Sequence, residues 1–203
     1  MTGVDRKGEL RHYLQMARET LLWKLEGLAE YDVRRPLVPT GTNLLGLVKH
    51  TASMECGYFG EVFGRPFPET LPWLGEGSQP NDDMWATPAE SREDIIAFYK
   101  RAWAHSDATL DALDLDAIGR VPWWPAERAK VTLNEILARM LAETNRHGGH
   151  ADLLRELIDG AVGYRRDVSN LPDEDETWWA AYRERLEQAA REVAEASLEP
   201  PLR

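Results

Sequence analysis

Glu143-Thr144-Asn145-Arg146-His147-Gly148-Gly149-His150-Ala151-Asp152-Leu153-Leu154-Arg155-Glu156-Leu157-Ile158-Asp159-Gly160 is the stretch that decides the fold. It continues a helix that Thr132-Leu133-Asn134-Glu135 opens as a capping box, in which the threonine hydroxyl and the glutamate carboxylate satisfy free amides of the first turn. Gly160 ends it, because glycine accepts the left-handed conformation a helix terminus needs. At about 100° per residue, Glu143, His147 and His150 fall within roughly 60° of one another on one face. Met140 and Leu154 lie on the same stripe, so a polar cluster interrupts an apolar face that should point inward. Burying a carboxylate and imidazoles without partners costs several kcal/mol, so the cluster needs hydrogen bonds or a cation.

Further helices precede it. From about Asp5 to Ala29, Leu10, Leu14, Ala17, Leu21, Leu25 and Leu28 recur at spacings of three and four, which predicts one long amphipathic helix. Pro36, Pro39 and Gly41 break it, and Thr42 or Asn43 caps a second helix running to about Gly64. The segment from Pro66 to Thr87 is rich in proline and glycine and reads as a long irregular connection of the kind that covers sites. Thr87-Pro88-Ala89-Glu90 reads as the start of a third helix reaching Leu113, with Thr87 as N-cap. Asp173 to Glu176 favours a helix N-terminus, and Trp178, Trp179, Tyr182, Leu186 and Val193 predict a last helix over about 173–195. No strand pattern competes. The expected fold class is therefore all-α: an antiparallel four-helix bundle with an additional C-terminal helix, forming a single domain over 1–203 with its core at about 5–160. The tail from Glu195, closing in Glu199-Pro200-Pro201-Leu202-Arg203, is expected to fray.

Composition narrows the function. Twenty-four Lys and Arg against 35 Asp and Glu give a net charge of −11 over 203 residues, which repels phosphate backbones and argues against a nucleic-acid partner. Met1 to Glu9 lacks the apolar core of a secretory signal, and no apolar run is long enough to span a bilayer, so a cytoplasmic protein without membrane contact is expected. The single cysteine, Cys56, excludes an intramolecular disulfide and reads as a buried structural thiol. Trp123 and Trp124, between prolines, fit either a pocket floor or a plug at the bundle end. His12 and His105 have no second ligand at metal spacing and read as ordinary polar residues.

His50 falls on the inward stripe of the second helix with Leu47 and Thr51. It would bring a donor from a second helix towards Glu143 and His147, as bundle metal sites commonly do. Two imidazoles and a carboxylate suit Zn²⁺, Ni²⁺, Fe²⁺ or Mn²⁺ and leave positions open for water or substrate. On spacing alone a hydrogen-bonded polar patch remains the commoner reading.

The stretch from Glu143 to Gly160 resembles the fourth-helix motif of the DinB-like superfamily, and Thr42-Asn43-Leu44-Leu45-Gly46-Leu47-Val48-Lys49-His50 is similar to the start of that family's second helix. The resemblance runs from the first helix to about Gly160 and implies a four-helix bundle holding a divalent metal, zinc first among the candidates. It also implies the metal ligands: His50, Glu143 and His147. The commonest family pattern has three histidines, the last two four residues apart and followed by Gly-Gln. Here Glu143 stands for the first of that pair, His147 for the second, Gly149 for the glycine and His150 for the glutamine. Mycothiol-dependent maleylpyruvate isomerases are similar in using His, Glu and His. Those isomerases carry a further C-terminal domain for which this chain is short, so transfer or hydrolysis is the expected reaction class. The implied function is a divalent-metal-dependent enzyme, a transferase using a small thiol such as mycothiol or a hydrolase of a small molecule. His150 is the candidate to accept or relay a proton, or else a further ligand. The resemblance also raises a homodimer, and the Trp178, Trp179 and Tyr182 stripe could cover either the core or such a partner. The rival expectation is a metal- or ligand-binding bundle without turnover, since one fold hosts unrelated functions.

Overall fold

A computed structural model describes residues 5–197. Contacts divide the chain into two compact units, Met1–Ser169 and Asn170–Arg203. The first is built on four long helices: α1 (Arg6–Trp23), α3 (Leu44–Glu55), α4 (Arg92–Ala112) and α5 (Leu133–Asp159). A short helix, α2 (Glu30–Arg34), and a two-stranded antiparallel ladder, β1 (Ile118–Arg120) with β2 (Lys130–Thr132), complete it. The second unit is α6 (Glu176–Ala196), capped by the Asp175 side chain on the amide of Trp178. The all-α expectation is met, and the helix lies at 176–196 against the expected 173–195. Of the tail expected to fray from Glu195, Glu195 and Ala196 still belong to α6, and the stretch from Leu198 on lies outside the described residues.

Side-chain contacts give the helix directions. Lys7 reaches the carbonyls of Leu110 and Leu113 while Arg92 reaches those of Leu25 and Leu28, so α1 and α4 are antiparallel. Lys49 pairs with Glu90, just ahead of α4, whereas Arg65 and Gly60, beyond α3, meet Thr109 and His105 in its second half. Thus α3 and α4 run the same way. A parallel pair needs a connection that returns along the bundle, which is the physical reason for the long stretch between Gly64 and Ser91.

Four local expectations are corrected. Helix α1 stops at Trp23 rather than near Ala29, because the chain turns through Gly27 at φ 76° and Arg155 holds the carbonyls of Lys24 and Glu26. The second helix is not uniform: after Glu55 it widens into a π turn over Cys56–Gly60 and tightens over Glu61–Phe63. Thr87 does not cap α4. The Glu90 carboxylate does accept from the Thr87 amide at 2.7 Å, but Lys49 draws Glu90 towards α3, and the helix begins at Arg92 under Ser91, whose hydroxyl accepts from Asp94 N. The β1–β2 ladder was invisible because three-residue strands carry too little alternation to read.

The core is largely apolar, and a buried ion pair crosses it. Arg18 of α1 is fully buried and grips Glu55 of α3 with two parallel bonds, Nε to Oε1 at 2.9 Å and Nη2 to Oε2 at 2.5 Å. Its Nη1 donates to Asp107 of α4 at 3.1 Å, so a single guanidinium ties three helices together. No helix of the described residues is long and apolar enough to cross a membrane.

Candidate metal centre

The site begins with the Asn43 cap of α3. Its Oδ1 accepts from the Gly46 amide at 2.8 Å, and its Nδ2 donates to the carbonyl of Met84 at 3.2 Å, in the long connection. A Cβ on Gly46 would lie 1.8 Å from that same Met84 oxygen, so only glycine lets the connection approach here. Lys49, itself buried, donates to the carbonyls of Asp82 at 3.1 Å and Trp85 at 3.0 Å. Asn43, Gly46 and Lys49, each three residues on from the last, thus seat residues 82–85 against α3. The result places Asp83 Oδ2 at 2.6 Å from His50 Nδ1.

Across from His50, α5 presents Glu143 and His147. Glu143 Oε1 lies 3.1 Å from His147 Nε2 and 3.6 Å from His50 Nε2, and the two rings meet edge to face with centroids 4.8 Å apart. One donor atom from each of His50, Glu143 and His147 falls within 4.8 Å of the others, so these three could hold a metal ion. The cluster is largely buried on the histidine side and more open at Glu143, whose side chain is 36% exposed. His150 stays outside this triangle. Its Nδ1 faces the opposite nitrogen of His147, Nδ1, at 3.4 Å.

The hydrogen inventory shows why a cation fits. A carboxylate only accepts, so His50 must donate its Nδ1 hydrogen to Asp83, and in the neutral ring Nε2 then turns a bare lone pair towards Glu143. In that neutral form two acceptors face each other, an arrangement that a divalent ion resolves. His50 is further fixed in the tautomer that a ligand needs, with its second nitrogen tied to a carboxylate. The charges agree. The hydrogen bond from His50 holds Asp83 below the usual carboxylate range. Burial pushes Glu143 up, but the neighbouring His147 and His50 outweigh it and keep the carboxyl low. Burial, aided by His50, pushes His147 below its ordinary value against the pull of Glu143, which keeps its imidazole available as a ligand.

A cavity of about 580 Å³ opens one helical turn beyond His50, walled by Met54, Gly57, Tyr58, Phe67, Leu71 and Trp123. Trp123 is therefore a pocket wall, edge to face with Tyr58 at 5.4 Å, while Trp124 packs against the core under Arg139. Cys56 also borders the cavity, yet it is 2% exposed and burial pushes its thiol far above its usual range, which excludes a ready nucleophile. His105 meets the carbonyl of Arg65 at 2.7 Å and His12 meets Tyr13 edge to face, and neither belongs to the cluster. Asp83 was missed. It stands in the run Asn81-Asp82-Asp83, which reads as loop polarity until the fold shows what Asp83 faces.

A helical bundle with two histidines and a carboxylate turned inward from α3 and α5 defines a DinB-like protein with a candidate metal site. The sequence profile described as mycothiol-S-transferase matches residues 9–160, three quarters of the chain, and the chain belongs to that family. No curated protein matches the sequence.

Proposed function

We propose that this protein is a divalent-metal-dependent transferase that joins a small thiol, mycothiol in the first instance, to an electrophilic small molecule in the cytoplasm. The family to which the chain belongs supports the thiol, and the His50, Glu143 and His147 cluster supports the metal. One observation carries the reading: Nε2 of His50 faces the Glu143 carboxylate at 3.6 Å across the two helices, with His147 Nε2 completing the set. Zinc is the first candidate, since nitrogen and carboxylate donors at three positions suit it, with Ni²⁺, Fe²⁺ and Mn²⁺ as alternatives. When bound, such an ion would lower the pKa of a coordinated thiol, or of water in a hydrolase, so that a nucleophile exists at neutral pH.

The chain's own residues supply the rest. Asp83 orients His50. The cavity beside Met54, mostly apolar with Glu61 and Glu69 also in its wall, is the proposed seat of a largely apolar electrophile. His150 is the proposed proton acceptor. It is half-buried, and of the two facing Nδ1 atoms one must donate while the other accepts, so a proton can be handed between His147 and His150. Because His150 addresses the far nitrogen of His147, it does not close the ligand set, and open positions are what a catalytic ion needs.

The test is thiol consumption by the zinc-loaded protein with mycothiol and an alkylating acceptor such as monochlorobimane. A rate abolished by chelation and restored by Zn²⁺ is expected, whereas a rate equal to the uncatalysed one in both states contradicts the transferase. His150→Gln is expected to slow turnover about tenfold to a hundredfold while leaving zinc affinity within a few fold. Loss of the metal in that variant would instead make His150 a ligand.

A further inference from the structure

The matched family region ends at residue 160, and nothing in the proposed chemistry uses α6. Its sequence is nonetheless specific. Trp179, Tyr182, Leu186, Ala189, Val193 and Ala196 follow one another at spacings of three, four, three, four and three, the a and d positions of a heptad. No α6 residue is buried, and Leu186 and Val193 are 53% and 68% exposed. The opposite face is polar and self-satisfied, with Arg191 on Glu187 at 2.8 Å.

We propose that this stripe pairs with the same stripe of a second copy of the chain, running in the opposite direction. Side-chain size selects the direction. With the helices antiparallel and Leu186 set against the partner's Ala189, Tyr182 meets the partner's Val193 and Trp179 meets the partner's Ala196. Every layer then combines a large residue with a smaller one, and the two-fold axis repeats each layer. A parallel pair would stack tryptophan on tryptophan and alanine on alanine, which overfills one end and leaves voids at the other. Charge selects the same direction. Arg185 and Glu192 occupy the g positions flanking the Leu186 and Ala189 layers, and in the antiparallel register each Arg185 faces the partner's Glu192, giving two ion pairs by symmetry. In parallel, Arg185 would face an alanine, the partner's Ala190. A two-helix contact of five turns lies at the small end of specific interfaces, under about 1,200 Å² in total. The dimer is therefore in exchange with monomer at micromolar concentration.

Sedimentation equilibrium on the full chain tests this. Wild type is expected to approach twice its 23.1 kDa mass as concentration rises through the micromolar range. Arg185→Glu and Glu192→Arg each place like charges in both pairs and should weaken association about tenfold. An equimolar mixture of the two variants restores opposite charges in both pairs and should recover the wild-type affinity, as should the double swap R185E/E192R. Wild type that stays monomeric overturns the proposal. So does a dimer that neither swap weakens, or one that the mixture fails to recover.

Discussion

Glu55→Ala is expected to lower the unfolding free energy by about 3–5 kcal/mol, the range for removing one partner of a buried ion pair. The cause lies in what remains. Arg18 has no exposed surface, and despite the opposing effect of burial, Glu55 and Asp107 hold its guanidinium firmly protonated. Without Glu55 a cation stays in the core with Asp107, itself partly solvated, as its remaining carboxylate. The double variant Arg18→Met, Glu55→Leu should cost much less, since it removes both charges and keeps an apolar volume. Urea denaturation read by circular dichroism gives both values. A loss under about 1 kcal/mol in Glu55→Ala would mean that water reaches the pair and that the three helices are held by apolar packing alone.

Asp83→Ala is expected to weaken zinc binding tenfold to a hundredfold, the usual cost of losing a carboxylate that orients a ligating histidine. Asp83 Oδ2 at 2.6 Å fixes which His50 nitrogen carries the hydrogen, and its removal lets the ring rotate and choose the wrong tautomer. Asp83→Asn keeps an acceptor in place and should retain most of the affinity. That rescue separates positioning from a general loss of structure. Competition with a chromophoric chelator reads all three proteins, and equal affinity in Asp83→Ala would show that α3 packing alone orients His50.

Much of this was legible in the sequence, and the reasons differ by feature. The helices declared themselves because apolar spacing and caps act over one or two turns, as with Thr132, whose hydroxyl accepts from the Glu135 amide, and Gly160 at φ 76°. The α5 part of the cluster was legible for the same reason, since Glu143 and His147 are four residues apart. His50 was reachable through its own stripe and through the family resemblance. Asp83, the Arg18–Glu55 pair and the parallel run of α3 and α4 were not. Each depends on residues more than thirty positions apart in the chain, and no local period records such a meeting. The capping box at Thr87 marks the boundary between the two cases: its side-chain bond forms as the local rule expects, but a distant lysine, Lys49, takes Glu90 and the helix starts later.

The measurement that bears most directly on the metal-dependent reading is elemental analysis of the zinc-incubated wild type beside the double variant Glu143→Ala, His147→Ala. The account predicts about one ion per chain in the wild type and loss of that ion in the variant, because a single histidine cannot hold it. Wild type that remains metal-free after incubation with Zn²⁺, Ni²⁺ and Mn²⁺ would contradict it and leave His50, Glu143 and His147 as a hydrogen-bonded patch in the bundle.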